Sequence, residues 1–400
     1  MTKRLSTILI AGLALVLAGC GTNAPGADGT GTESAQSTPS ATVCPADAGA
    51  ALAPESGALF GVNLDWANQS LAEYAADLGR KPAVAVSFTD FPYEQADRAN
   101  LQAAVEQVRA DGQSLLLTLE PRDGLESVTD DAVEDLAADL KDFNDAGVPV
   151  IVRFAHEMNG SWYAWSQQPK AYIKAFRKVA EAVHEQAPGS SMMWAPNYGG
   201  GYPFTGGKHA AKTGTADFRV LDTDGDGVLT MADDPYSPYY PGDAAVDWVG
   251  MSLYHWGSAH PWGENEIPEP GKFADQLTGT YDGLGGDDTA VPDFYADYAK
   301  ERGKPLAIPE TAALYVEDGG GASEAEIKQA WWEQLFAAKT ARDFPQLRML
   351  NWFEWHKHET EIGGDVDWRA AGDPGIRTAF RDALPSWLRF GAAGGTCTDS

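Results

Sequence analysis

The sequence predicts an α/β fold, and within that class a (β/α)8 TIM barrel, on three observations. Short apolar runs alternate with longer amphipathic stretches, as in parallel strands joined by helices. Eight such runs occur along the 400 residues. Most end in a polar or aromatic residue, and a barrel gathers those ends on one face, where the active sites of this fold are built. An open doubly wound sheet would need a glycine-rich phosphate-binding turn after its first strand, and "GVNLDWANQS" offers none.

The strand candidates are separated by helical patterns. In order the candidates are "ALFGVNLDW", "PAVAVSFTD", "SLLLTLEP", "PVIVRFAHE", "SMMWAPN", "VDWVGMSLY", "PLAIPET" and "RMLNWFEW". Helices are predicted for stretches such as "TDDAVEDLAADLKDFNDAG", with Asp at its start and Gly at its end, and "SEAEIKQAWWEQLFAAKTARDF". No internal repeat of solenoid length is found, so we expect a single barrel domain.

Composition and charge limit the possible partners. The chain carries 29 basic and 58 acidic residues, a formal charge of −29, which repels phosphate backbones and anionic membranes. Nucleic acid is therefore not expected as a partner. With 44% hydrophobic residues the chain can bury a large core, and its 13 tryptophans either fill that core or offer flat faces to ligands such as sugars.

Residues 1–20 are predicted to be a lipoprotein signal peptide. Lys3 and Arg4 form a basic start, "LSTILIAGLALVL" is the apolar region, and "LAGC" ends it at Cys20. This ending resembles the bacterial lipobox, whose cysteine becomes the lipidated first residue of the mature protein; an ordinary secretory signal is the alternative. Either reading predicts export, and the first predicts a lipid anchor that holds the protein at the bacterial cell surface.

Residues 21–43 are predicted to be a flexible linker, since they are rich in Gly, Thr, Ser, Ala and Pro without periodicity. The barrel domain is then expected over residues 44–400. Only Cys44 and Cys397 remain beyond the lipobox. Cysteines outside the cytosol usually pair, so we expect a disulfide between them, with two free thiols as the alternative.

Two strand-end carboxylates suggest the chemistry. The polar and aromatic strand ends are Asp65, Trp66, Asp90, Glu120, Glu157, Asn197, Tyr254, Glu310 and Trp352. Glu157 ends the fourth strand and Glu310 the seventh, so both would face one mouth. Hydrolysis of a glycosidic bond needs such a pair, because one carboxyl donates a proton while the other attacks or activates water. A G-x-S-x-G nucleophile motif and an H-E-x-x-H zinc motif are both absent from the sequence.

The stretch "RFAHEMNGSWYAW" resembles the signature of glycoside hydrolase family 26, in which an H-E-x-N-G segment follows the fourth strand of a (β/α)8 barrel. "VDWVGMSLY", "PLAIPETA", "NWFEWHK" and "DWR" resemble later segments of that family in the same order, so the likeness covers roughly residues 55–390. The resemblance implies a retaining double displacement with Glu157 as acid/base and Glu310 as nucleophile. Their carboxyl groups should then lie about 5 to 5.5 Å apart, and Glu157 should have a raised pKa.

The resemblance and the chemistry of sugars suggest further contacts. Tyr254 corresponds to a family tyrosine that hydrogen bonds the nucleophile, and Trp352 to a strand-end platform. Trp162 and Trp165 are candidates to stack on sugar faces, with core packing as the alternative for Trp165. The remaining candidates are His156, which contacts substrate or nucleophile or else holds the loop, Arg153, which orients a carboxylate such as Glu310, and Asn159, which braces the loop.

A second motif predicts a structural calcium site in a long insertion between strands five and six. In "DTDGDGVLTMADD" the loop positions 1, 3, 5, 7 and 12 are taken by Asp222, Asp224, Asp226, Val228 and Asp233. Calcium takes six to eight hard oxygens, and this spacing supplies them, with the Val228 carbonyl at position 7 and Thr230 or water at position 9. A bare acidic turn is the alternative.

The sequence therefore predicts a surface-anchored, endo-acting and monomeric glycoside hydrolase, with a polysaccharide as its partner. The family it resembles implies β-1,4-mannan as the first substrate. "VRFAHEMNG" stands where typical mannanases read Trp-Arg-Pro-x-His-Glu, so mixed-linkage β-glucan, xylan or a bacterial exopolysaccharide remain alternatives. A lipoprotein that binds carbohydrate without cleaving it is the alternative from another class.

Overall fold

Eight parallel strands close into a barrel in a computed structural model, which describes residues 52–258, 262–283 and 291–391. The strands follow one another around the barrel in chain order, and the last pairs with the first from Leu59↔Met349 to Leu64↔Glu354. The (β/α)8 barrel predicted from the sequence is confirmed. Residue contacts divide the chain after Ala41, and every described residue lies in the second unit.

Each strand begins and ends within a few residues of its predicted run. The barrel strands are β1 (Ala58–Leu64), β2 (Val84–Asp90), β3 (Ser114–Glu120), β4 (Val150–Phe154), β5 (Ser190–Trp194), β6 (Trp248–Gly250), β7 (Leu306–Thr311) and β8 (Leu347–Glu354). Three short strands follow that the sequence patterns did not predict. They are β9 (His356–Glu359), its antiparallel partner β10 (Gly364–Asp367), and β11 (Leu388–Arg389), which lies beside β1.

Helices cover the outside of the barrel. They are α1 (Leu71–Leu78), α2 (Gln95–Asp111), α3 (Asp130–Asp145), α4 (Pro169–Gln186), α5 (Phe218–Leu221), α6 (Lys272–Leu277), α7 (Glu324–Phe336), α8 (Ala338–Asp343) and α9 (Pro374–Ala383). The long helix expected near residues 323–344 is two helices, because Ala337 adopts an extended conformation with ψ 139°. In the part of the chain that the structure describes, no helix is both long and apolar enough to cross a membrane.

Two apolar layers result from the alternation of side chains along each strand. The inner layer fills the barrel with side chains such as Leu59, Val84, Leu116, Ile151, Met193, Trp248, Ala307 and Met349. The outer layer packs the other strand faces against the helices. Alternate residues of one strand therefore face opposite sides of the sheet, and at the C-terminal strand ends the inward-facing residues line the mouth of the barrel.

The targeting segment, the linker and the cysteines lie outside the described residues. Lipidation of Cys20 and the pairing of Cys44 with Cys397 therefore stay predictions.

Candidate active site

Glu157 is held at the end of β4 by an unusual backbone. Ala155 and Glu157 both have positive φ angles, 46° and 53°. Residues other than glycine rarely adopt this region, and such strain concentrates at functional sites. The amide of Glu157 donates to the carbonyl of Ala195, 2.9 Å away, which ties the turn to the neighbouring strand segment. The backbone thus presents the Glu157 carboxyl at the mouth.

Glu310 reaches the same mouth through an irregularity in β7. Ala307 lies in the inner layer, so strict alternation would turn Pro309 inward and Glu310 outward. The pairing of β7 with β8 shifts register between Ile308 and Thr311, and such a shift re-aims the side chains around it. Thr311 accepts a hydrogen bond from Trp331 Nε1 of α7, 2.9 Å away, and so faces the helices.

Two polar side chains hydrogen bond Glu310. Arg153, whose side chain is fully buried, donates through Nη1 to Glu310 Oε1 and through Nη2 to Ser252 Oγ, the latter at 2.6 Å. The hydroxyl of Tyr254 donates to Glu310 Oε2 at 2.8 Å. Both oxygens of Glu310 therefore accept hydrogen bonds, which hold the carboxylate in one orientation. This is the arrangement predicted for Arg153 and Tyr254.

The two carboxylates are close neighbours. One oxygen of Glu157, one of Glu310 and one ring nitrogen of His156 all lie within 4.8 Å of one another. Retaining glycosidases separate their carboxyl groups by about 5 to 5.5 Å and inverting enzymes by about 6.5 to 9.5 Å. The observed proximity fits the first class. A histidine and two carboxylates are also metal ligands, but Glu310 already pairs with the Arg153 cation, which would repel a second positive charge.

Burial raises the pKa of Glu157 to about 7, and the negative charge of Glu310 contributes in the same direction. The positive charge of Arg153 and hydrogen bonds from Ser252 and Trp162 oppose this rise. A substantial fraction of Glu157 is therefore protonated at neutral pH. Because its neighbour Glu310 is paired with a cation, the two carboxyl groups occupy different electrostatic environments, as proton donor and nucleophile require.

His156 lies beside the pair but is only 2% exposed. Burial, followed by the positive charges of Arg153 and Arg122, lowers its pKa well below the ordinary value. Its ring packs against Phe88 at 5.6 Å and Tyr163 at 5.0 Å between centroids. A neutral imidazole that is packed in this way supports the loop, and it also comes close to both carboxylates.

Among the three predicted tryptophan platforms, Trp162 alone is accessible, with 37% of its surface exposed. Its Nε1 donates to Glu157 Oε2 at 3.1 Å, and its ring packs edge-on against Phe204 at 5.1 Å. The side chain therefore orients the carboxyl of Glu157 while part of its face remains open to a ligand.

The structure contradicts the stacking roles predicted for Trp165 and Trp352, each of which is 1% exposed. Trp165 stacks on Tyr163 at 4.4 Å and donates to the carbonyl of His156 at 2.7 Å, so it supports the loop from below. Trp352 faces the outer layer, with its ring 5.0 Å from that of Phe380 on α9. The alternation along β8 explains the error, because Met349 faces inward and a residue three positions later faces outward.

The inner face of β8 continues through Phe353 to Trp355, two aromatic residues that the sequence reasoning missed. Their rings stack at 5.9 Å, and Trp355 Nε1 donates to Asn63 Oδ1 at 3.2 Å. Phe353 also packs edge-on against Tyr254 at 5.7 Å, which places this aromatic pair beside Glu310. Counting by twos from an apolar barrel residue such as Met349 would have found both.

Asn159 braces the loop, as predicted. Its Nδ2 donates to the carbonyl of Asn197 at 2.8 Å, and its Oδ1 accepts from the amide of Asn197 at 2.9 Å. This reciprocal pair joins the ends of the β4 and β5 segments across the mouth.

The predicted calcium loop brings three carboxylates together. One oxygen each of Asp222, Asp224 and Asp233 lies within 4.8 Å of the others, whereas Asp226 is outside this group. The Gly227 amide donates to Asp222 Oδ2 at 3.0 Å, which closes the turn. Asp222 Oδ1 is buried and hydrogen bonds none of the described residues. A buried, unpaired carboxylate oxygen in a cluster of hard oxygens fits a calcium ion.

Comparison with known proteins shows which families and sequences this chain is similar to. The model of glycosyl hydrolase family 26 matches residues 103–201, the part of the chain that contains Glu157. Endoglucanase H of Acetivibrio thermocellus is 22% identical over 318 residues, which cover 76% of this chain and 28% of that protein. The present chain thus corresponds to little more than a quarter of that relative.

Solved structures with the same fold include two mannanases. The modular endo-β-1,4-mannanase of Cellulomonas fimi is 18% identical, with a TM-score of 0.54 over 89% of this chain and 79% of that chain. The catalytic domain of the Bacillus sp. JAMB-750 endo-β-1,4-mannanase is 18% identical, with a TM-score of 0.53 over 85% of this chain and 89% of that chain. At this identity the two structures are evidence for the fold alone.

The barrel, the match to the family model and the related sequence make this protein similar to glycoside hydrolases. The more particular likeness, to family 26, is carried by residues 103–201.

Replacing Glu310 with glutamine should lower the pKa of Glu157. The negative charge of Glu310 is the second largest cause of the rise to about 7, and its removal leaves Arg153 free to favour ionised Glu157. Burial remains, so the value should stay above the ordinary 4.5. Carbon-13 NMR titration of the glutamate carboxyl groups measures the change. The exposed Glu134 of α3, replaced in the same way, should leave it unaltered; an unchanged pKa in Glu310→Gln would contradict the assignment.

Proposed function

We propose that this chain is a monomeric, endo-acting, retaining glycoside hydrolase that cleaves a β-1,4-linked polysaccharide, with β-mannan as the first candidate. The observation that carries the proposal is the close approach of Glu157 and Glu310 within 4.8 Å in unlike environments. Glu157 has a pKa raised to about 7, while Glu310 accepts hydrogen bonds from Arg153 and Tyr254.

In the proposed first step Glu310 attacks the anomeric carbon while Glu157 gives its proton to the glycosidic oxygen. The bond to the leaving sugar breaks, and the sugar on the other side becomes covalently attached to Glu310. In the second step Glu157, now ionised, takes a proton from water, whose oxygen attacks the same carbon. Glu310 is released as a carboxylate, Glu157 regains its proton, and the anomeric configuration of the substrate is retained.

Surrounding residues support these two steps. Trp162 holds Glu157 through its indole N–H, so the donated proton starts from a defined position. Arg153 and Tyr254 orient Glu310 by hydrogen bonds to its two oxygens. The pKa of Tyr254 is raised well above its ordinary value, by burial first and by the charge of Glu310 second. Its hydroxyl therefore remains a hydrogen-bond donor at any pH at which the enzyme would act.

Mannan is favoured by the names of the solved mannanases that share the fold. A second candidate substrate is β-glucan, because the curated relative matched over most of this chain is named an endoglucanase. The departure of "VRFAHEMNG" from the usual mannanase pattern favours a substrate other than mannan. Xylan and a bacterial exopolysaccharide would suit the same mechanism. Binding of carbohydrate without cleavage would need neither the close carboxylate pair nor the raised pKa of Glu157.

Glu157→Gln should lower kcat on the preferred polymer by about 10²- to 10⁴-fold, the usual contribution of a general acid/base. Glu310→Gln should abolish activity, because an amide is not a nucleophile. The substrate is identified by measuring which of glucomannan, galactomannan, xylan and mixed-linkage β-glucan releases reducing sugar.

Since the acid form of Glu157 is required, kcat/KM should fall as the pH rises through about 7. The control is Glu134→Gln, with wild-type activity.

Two results would count against this function. Wild-type protein that binds one of these polymers tightly and cleaves none would favour the carbohydrate-binding alternative. A first product with inverted anomeric configuration, read by proton NMR, would contradict double displacement.

We also propose that the loop of Asp222, Asp224, Asp226, Val228 and Asp233 binds a structural calcium ion. The three clustered carboxylates and the buried, unpaired Asp222 Oδ1 support it. The ion would stabilise the insertion between β5 and β6. That insertion also contacts the acid/base loop, because Ser161 Oγ donates to the carbonyl of Phe204 at 2.6 Å.

Calcium should raise the thermal unfolding temperature of the protein. A ligand at one hundred times its Kd stabilises the folded state by about 2.7 kcal/mol. Chelation with EGTA should lower the temperature, calcium should restore it, and magnesium should restore it less. Asp222→Ala should remove the response, whereas the exposed Asp382 on α9, replaced by alanine, should retain it. A wild-type protein that is indifferent to EGTA would contradict the site.

The "LAGC" ending at Cys20 supports export and a lipid anchor at the bacterial cell surface, which we likewise propose. Full-length protein expressed in bacteria should fractionate with membranes and partition into detergent, and Cys20→Ala should abolish the lipid modification measured by mass spectrometry. An unmodified Cys20 in the wild-type protein would contradict the anchor.

A further inference from the structure

A second cluster of charges stands at the ends of β2 and β3. Asp90 and Glu120 are the last residues of these strands and are directly paired across the sheet. Like charges in this arrangement destabilise a sheet. Arg122 relieves the repulsion: its Nε lies 2.7 Å from Asp90 Oδ1, and its Nη2 donates to Glu120 Oε2 at 2.7 Å.

The cluster faces the same mouth as the catalytic pair. Val84 and Val86 of β2 and Leu116 of β3 belong to the inner layer, so Asp90 and Glu120 share the inward-facing alternation. Electrostatics agree with this placement. Burial raises the pKa of Glu120, and the charge of Glu310 adds to the rise, while the charge of Arg122 helps to lower the pKa of His156.

The three side chains differ in accessibility. Glu120 is buried, whereas the side chains of Arg122 and Asp90 are 63% and 47% exposed. Nη1 of Arg122 and Oδ2 of Asp90 hydrogen bond none of the described residues. The cluster therefore offers the mouth an N–H donor beside a carboxylate acceptor. Asp90 ends β2, and Arg122 lies in the turn just after β3, where its guanidinium is paired with both carboxylates.

This pattern matches the hydroxyl groups of a neutral sugar. Each sugar hydroxyl donates and accepts, so two adjacent hydroxyls can accept from a guanidinium and donate to a carboxylate at once. An anionic sugar fits poorly, because the charge of Arg122 is already balanced by two carboxylates. The cluster as a whole is negative, and so is the chain, with a formal charge of −29.

We infer that Asp90, Glu120 and Arg122 form a sugar-binding subsite that selects uncharged polysaccharides, with Arg122 and Asp90 contacting adjacent hydroxyls of one sugar ring. The inference rests on the proposed function and deepens it. It assigns Arg122 a role in specificity, since this residue contacts the substrate beside the bond that is cleaved without taking part in the chemistry. Glu120 holds the guanidinium in place.

The test compares wild-type protein with Arg122→Ala and Asp90→Asn on the preferred neutral polymer and on its carboxymethylated derivative. Loss of a hydrogen bond that involves a charged group should cost roughly 10- to 100-fold in kcat/KM, mainly through KM. The wild type should prefer the neutral polymer by at least about 10-fold at low ionic strength, and salt should narrow the gap. Arg109→Ala, an exposed arginine of α2, is the matched control.

Every result of this comparison either supports or overturns the proposed subsite. Values of kcat/KM for Arg122→Ala and Asp90→Asn within twofold of the wild type would overturn the subsite, as would equal activity on both polymers. Asp90→Asn keeps Arg122 paired with Glu120, so it serves where Arg122→Ala is unstable. If the wild type cleaves no polymer, the proposed function fails, and affinity electrophoresis of the Glu157→Gln protein in neutral polymer replaces the kinetics. The subsite would then be supported if the neutral polymer slows the migration of the Glu157→Gln protein but not that of the Glu157→Gln/Arg122→Ala protein. It would be overturned if the polymer slows both proteins equally or slows neither.

Discussion

The buried ion pair between Arg153 and Glu310 is the interaction on which the site depends. Arg153 is fully buried inside the barrel, and a buried guanidinium needs a charged partner and further hydrogen bonds. Glu310 provides the charge, and Ser252 accepts the second bond. The same pair gives the two carboxyl groups unlike surroundings. Arg153 contacts Glu310 directly, whereas burial and the nearby charge of Glu310 raise the pKa of Glu157.

Two departures from regular geometry bring these carboxylates together. Just after β4 the chain adopts positive φ angles at Ala155 and Glu157, and on β7 the register shifts between Ile308 and Thr311. Both occur at C-terminal strand ends, where the barrel no longer imposes strict pairing. The rest of the barrel is stabilised by two apolar layers, which can offset the cost of this local strain.

The aromatic residues near the mouth fall into two groups that their sequence positions did not separate. Trp165 and Tyr163 stack beneath the loop that carries Glu157 and, with His156, form its apolar support. Trp162 lies on the outer side of that loop and contacts Phe204 of the β5–β6 insertion. The insertion therefore contacts the one indole that hydrogen bonds Glu157, and it carries the predicted calcium motif farther along the chain.

The sequence by itself determined the barrel, because eight apolar runs with polar ends allow few other folds, and it placed Glu157 and Glu310 at one mouth. It also predicted the partners of Glu310, Tyr254 through a family resemblance and Arg153 from its inward position on the fourth strand. Only the tertiary structure decided which tryptophans are accessible, because a shift of one residue turns a strand side chain such as Trp352 from the mouth to the helices. The pairing of Asp90 and Glu120 through Arg122 likewise depends on the register between strands, which local sequence patterns do not contain.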